Sequence, residues 1–132
     1  MTTENFCLIY SAIFVLLAWA PASLGKVQGM GWNWIFSNRE EAADPNRIPV
    51  WAARAERAHA NLLAYYPAFI VAVLIIDFTK TSTKWTASIC VVYLISRILN
   101  FAAYVAGVPS ARIFFWLVAL LCNLFLLLSP LL

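Results

Sequence analysis

Charge is what this chain has least of. Of its 132 residues only nine are Lys or Arg and six are Asp or Glu, 11% in all, and there is a single histidine. Soluble domains are about a quarter charged and about half apolar, whereas 64% of this chain is hydrophobic and its mean hydropathy is +0.82. A water-soluble globule of this length could not bury so much apolar surface, and a disordered chain needs the opposite balance. So few cations exclude a broad basic face for nucleic acid. Cysteine is also sparse: Cys7, Cys90 and Cys122 lie singly in apolar runs. They form no C-x-x-C pair, which excludes a zinc site and a thioredoxin-type dithiol, and each reads as a small hydrophobe. With one histidine, His59, no metal site is expected.

What remains is long apolar runs, so this is an integral, multi-pass membrane protein. A helix needs about 20 mostly apolar residues to cross the hydrocarbon. Four runs qualify, near residues 6–24, 50–78, 85–106 and 111–132. They are continuous and lack the alternation of roughly ten-residue strands that marks a membrane barrel. The first begins Met1-Thr2-Thr3-Glu4-Asn5 with no Lys or Arg, unlike a signal peptide, and reads as a span. Trp19, Trp51, Trp85 and Trp116 fall near span ends, as interfacial aromatics do. Two connections are short, so the spans should form one all-α, up-down-up-down four-helix bundle and a single domain over 1–132. The long connection, 25–49, holds the cluster Trp32-Asn33-Trp34-Ile35-Phe36 and should lie along the membrane surface.

Lys26, Arg39, Arg47, Arg54 and Arg57 crowd the first connection and the start of helix two, and Arg112 edges the third connection. The opposite side has Lys80 and Lys84. The positive-inside bias then puts the long loop in the cytoplasm and both termini outside.

Polar residues inside the spans carry the functional signal, because a charge at the bilayer centre costs at least about 2.5–3.5 kcal/mol on insertion scales. Arg97 lies twelve residues past Trp85 and shares a helix face with Asn100 and Tyr104. Helix two offers a second stripe, Arg54, Arg57 and Asn61, at similar depth, and Arg112 opens helix four from the same side. The nearest carboxylate, Glu56, is off that stripe, and Asp77 is at the far end of its helix. Gathered guanidinium groups suit an anionic guest such as a multi-carboxylate peptide, a phosphate or an acidic lipid. The competing reading is that these side chains bridge helices through backbone carbonyls and snorkel to water. Asn123 reads as inter-helix glue, and Pro67 as a kink beside Tyr65 and Tyr66.

The stretch Arg54-x-x-Arg57-Ala58-x-x-Asn61, with Pro67 six residues on, resembles the helix-two signature of the MAPEG family, the membrane-associated proteins of eicosanoid and glutathione metabolism. Arg97 through Gly107 and on to Arg112 resembles that family's helix three and the start of helix four. The resemblance spans almost the whole chain and is closest to the small bacterial members. It implies a homotrimer in a bacterial inner membrane, with glutathione between subunits on the cytoplasmic side. Arg54, Arg57, Asn61, Arg97, Asn100 and Tyr104 would then line the glutathione site, Tyr104 and Arg112 would act in catalysis, and Lys26 could add a cation.

The chain departs from the pattern at Ala64, where the family carries a glutamate, and at Asn100, where a histidine is frequent. Two functions therefore stand. One is a membrane transferase or peroxidase-like protein that joins a thiol to lipophilic acceptors. The other is a non-catalytic scaffold or anionic-lipid-binding subunit that has lost glutathione chemistry. A proton-coupled exporter fits less well, because helix one has no carboxylate between Phe6 and Leu24.

Overall fold

A computed structural model describes all residues, 1–132. The chain is helical throughout and has no strands: α1 (Thr3–Leu17), α2 (Ala20–Met30), α3 (Trp32–Phe36), α4 (Val50–Thr79), α5 (Lys84–Ala106) and α6 (Pro109–Leu128), closed by a 3-10 turn at Ser129–Leu131. Four helical stretches are long and apolar enough to cross a membrane: Thr3–Met30, Val50–Thr79, Lys84–Ala106 and Pro109–Leu131. The expected four-helix membrane bundle is therefore the fold.

The first span differs most from its expected bounds. It runs on to Met30, so residues 25–30 of the expected loop are helical. Hydropathy drops at Gly25-Lys26, which hides the helix from a search for apolar runs, but helical hydrogen bonding does not depend on apolarity. At a rise of 1.5 Å per residue the 28-residue stretch is roughly 42 Å long, more than the hydrocarbon requires. It is broken at Ala18–Trp19, ahead of Pro21, which has no N–H to offer the carbonyl of Leu17. Within the remaining connection, Trp32 and Phe36 form one short helical turn, their rings stacked at 5.9 Å and both exposed. Pro67, by contrast, sits inside an uninterrupted α4.

Packing is that of a protein built for lipid. Only 25 of 132 residues are buried, while large apolar side chains such as Leu16, Phe78 and Leu121 face outward. The core joins α1, α4, α5 and α6 through Phe69 and Tyr93, whose rings stack at 4.0 Å, with Val73, Ile76 and Leu126 around them. Cys7, Cys90 and Cys122 are free thiols in this same core, acting as small apolar fillers.

Polar ties register the helices. Glu4 is 1% exposed, and its Oε1 accepts from the hydroxyls of Thr86 at 2.6 Å and Ser82 at 2.8 Å, pinning the start of α1 to the start of α5. Ser11 and Tyr66 share a hydrogen bond of 3.1 Å between α1 and α4.

Small residues let α2 meet α4 closely. Ala52, Ala55 and Ala58 are buried on one face of α4, and Gly25 of α2 lies against Ala52. A Cβ at position 25 would collide with the Cβ of Ala52. Gly25→Ala should therefore lower stability by about 1–3 kcal/mol, the range for overpacked interfaces. Reversible unfolding in mixed micelles measures this, and an unchanged free energy would show that the two helices are not held at this distance.

Candidate functional site

The arginine-rich end of the bundle is assembled by α4, α5 and α6. Asn61, Tyr65, Asn100, Tyr104, Arg112, Ile113 and Trp116 line a cavity of about 310 Å³ that opens on the side of the bundle. Next to it, a recess of about 170 Å³ is lined by Arg54, Arg57, Ala103, Tyr104, Gly107, Val108, Pro109 and Arg112. Tyr104 and Arg112 belong to both, so cavity and recess form one continuous, carboxylate-free surface.

Each polar group is oriented by a neighbour. The Arg97 Nη2 donates to Asn61 Oδ1 at 3.2 Å, which leaves the Asn61 amide nitrogen for the cavity. The Asn100 Nδ2 donates to the Arg112 carbonyl at 2.8 Å, tying α5 to the first turn of α6 and leaving Asn100 Oδ1 as an acceptor. The Arg112 guanidinium lies over the Tyr104 ring, its carbon 4.9 Å from the centroid, a cation–π arrangement that sets the direction of the charge. Tyr65 and Trp116 meet edge to face at 5.8 Å and form the inner wall.

Of the residues expected at the site, Asn61, Asn100, Tyr104 and Arg112 meet in the cavity, and Arg54 and Arg57 join Tyr104 and Arg112 in the recess. Arg97 lines neither. It is 3% exposed and sits behind the inner wall, reaching the cavity only through Asn61. Arg54 is partly spent on structure, because its Nε donates to the Val105 carbonyl at 3.0 Å, the helix-bridging role that competes with guest binding.

Lys26 is drawn away altogether. The helical continuation of the first span sets it beside α4, where its Nζ pairs with Glu56 at 2.6 Å. Ala64 is exposed on α4, one turn past Asn61, and lines neither hollow. Tyr65, Ile113 and Trp116 were not anticipated in the cavity wall. Their signal is position: Tyr65 follows Asn61 by one helical turn, and Ile113 and Trp116 follow Arg112 by one and four residues.

Gly107 makes the recess possible. It ends α5 in the left-handed region, φ +75°, and Val108 N–H bonds back to the Ala103 carbonyl. A Cβ there would lie 2.6 Å from Arg54 Nη1. Gly107→Ala should cost about 1–2 kcal/mol for the backbone conformation alone and expel Arg54 from the recess. Thermal unfolding together with protection of Arg54 from dicarbonyl modification reads both effects. Unchanged protection would show that Arg54 does not depend on this glycine.

No curated protein and no solved structure matches the chain. The family model described as MAPEG family, however, matches residues 4–132, nearly its whole length. Matched over nearly its whole length and built from four helices long and apolar enough to span a membrane, this chain belongs to the MAPEG family of membrane proteins, which act in eicosanoid and glutathione metabolism.

Proposed function

We propose that this protein binds glutathione in the side cavity and recess and joins it, through its sulfur, to lipophilic electrophiles arriving from the bilayer. The observation that carries this reading is a hollow with cationic and amide donors and no carboxylate. Its volume, about 310 Å³ in the cavity alone, is at the low end of ligand pockets. The donor set suits the tripeptide: Arg57 and the Nη groups of Arg54 match its two carboxylates, Arg112 its sulfur, and Asn61 offers an amide N–H. For its ammonium group Asn100 Oδ1 is an acceptor.

Glutathione supplies a thiol, whose thiolate is the nucleophile. Arg112 stabilises negative charge on sulfur and so favours loss of the proton to water at the cavity mouth. Tyr104 holds Arg112 by the ring stack and can donate its hydroxyl proton in a hydrogen bond to the same sulfur. Asn61 and Asn100 orient the peptide, and Ile113 with Trp116 offers the apolar wall against which a lipophilic acceptor rests. The cavity's polar wall stands at the side of the bundle among lipid-facing residues, where polar groups need cover. In this reading two further copies cover it, as a homotrimer, with the arginine-rich end in the cytoplasm and both termini outside.

A second reading is an anionic-lipid-binding subunit without thiol chemistry. It is favoured by the engagement of Arg54 with Val105 and by alanine at position 64.

Arg112→Ala should lower the rate of glutathione conjugation to a chromogenic electrophile by roughly 10²-fold or more, as loss of an anion-stabilising donor does. Wild-type protein that neither turns over nor binds glutathione in calorimetry would replace this reading by the lipid-binding one. A cysteine placed at Ser37 in the long connection should react with a membrane-impermeant thiol reagent from the cytoplasmic side, in inverted vesicles and not in right-side-out ones. Labelling from the opposite side would reverse the topology.

A further inference from the structure

Behind the wall formed by Tyr65 and Trp116 lies a second, much smaller cavity of about 10 Å³. Three residues that border it, Tyr93, Arg97 and Asn123, are each at most 5% exposed. Each leaves one buried polar atom without a hydrogen-bond partner in the chain: the Tyr93 hydroxyl, Arg97 Nε and Asn123 Oδ1. The whole chain has four such atoms, and the fourth, Glu4 Oε2, belongs to a residue at the other end of the bundle. Three of four around one cavity is a grouping that requires a cause, because each unpartnered atom costs stability unless something satisfies it.

The chemistry of the three atoms selects the guest. Arg97 Nε only donates, Asn123 Oδ1 only accepts, and the tyrosine hydroxyl does either. A water molecule can accept from Arg97 and Tyr93 while donating to Asn123, which satisfies all three. A small anion would be welcomed by Arg97 and Tyr93 but repelled by Asn123 Oδ1. The size agrees, since about 10–15 Å³ is the least that holds one water, and such a water needs two to four polar partners.

We propose that one internal water bridges Tyr93, Arg97 and Asn123, and that Asn123 is thereby a positioning residue for the open cavity. The guanidinium is a rigid plane, so holding Nε sets the direction of Nη2, the atom that donates to Asn61 Oδ1 at 3.2 Å. Asn61 in turn lines the open cavity, and with its Oδ1 held by Arg97 its amide nitrogen is left to donate there. Asn123 on α6 thus acts on Asn61 of α4 through a water and Arg97 of α5, although Asn123 does not line the open cavity. The importance of Asn61 rests on the proposed function, but the water and its link to Asn61 are testable without glutathione.

The experiment is solid-state NMR on isotope-labelled full-length protein in lipid bilayers. The Arg97 Nε–H should show a through-space cross-peak to water, unaltered when bromide replaces chloride in the buffer. Asn123→Leu should abolish that cross-peak and shift the side-chain amide signals of Asn61. Asn123→Ser, which keeps a hydroxyl and leaves room for the water, should retain both. Glutathione affinity should fall roughly three- to tenfold in Asn123→Leu and recover in Asn123→Ser, in line with couplings between packed residues. Three results would each overturn the proposal: no water cross-peak in the wild type, a bromide-dependent shift that marks an anion instead, or an unmoved Asn61 amide in Asn123→Leu. If the wild type binds no glutathione, the transferase reading fails while the NMR results still decide this one.

Discussion

A guanidinium sealed inside a membrane bundle with no carboxylate beside it governs the rest of this structure. Arginine cannot shed its proton under any ordinary condition, so Arg97 must be solvated by what surrounds it. The chain's six acids are all elsewhere. Glu4 is held by Ser82 and Thr86, Glu56 pairs with Lys26, Asp77 bonds Asn5 and Lys80, and Glu40, Glu41 and Asp44 are exposed in the long connection. Arg97 instead donates to the amide oxygen of Asn61, and Asn61 opens on the side cavity. Charge that is not neutralised at depth is thereby presented, through one hydrogen bond, to whatever enters.

The two ends of the bundle divide the labour accordingly. At one end, hydroxyls close over the buried Glu4 and knit α1 to α5. At the other, arginines from α4 and α6 line hollows that contain no acid. The alanine face of α4 and Gly25 hold α2 close on one side of the arginine stripe. Gly107 clears room on the other. Small residues fix the frame so that long cationic side chains can converge.

Much of this was legible in the residues. The four spans follow from apolar length, and the stripes Arg54–Arg57–Asn61 and Arg97–Asn100–Tyr104 follow from helical periodicity. Depth counted at 1.5 Å per residue put Asn61 and Arg97 near one level, and they bond directly. Other features were hidden for physical reasons. Azimuth between helices is set by packing, so a linear reading did not show that Arg97 turns behind Tyr65 and Trp116 while Arg112 lines the opening. Helix length past Leu24 was masked because Lys26 and Gln28 are polar yet helical, and the Lys26–Glu56 pair became visible only with that extension. Glu4 looked merely like an argument about leader segments, because no pattern marks two hydroxyls eighty residues away as its partners.

The central claim is that paired carboxylates are what the arginine-lined hollow selects. Calorimetric titration of the detergent-solubilised protein with glutathione and with its diethyl ester tests this most directly, since the ester keeps the thiol and the shape but loses both negative charges. The free acid should bind at least tenfold more tightly, with the difference shrinking as salt is raised. Equal affinity for the two would contradict the account.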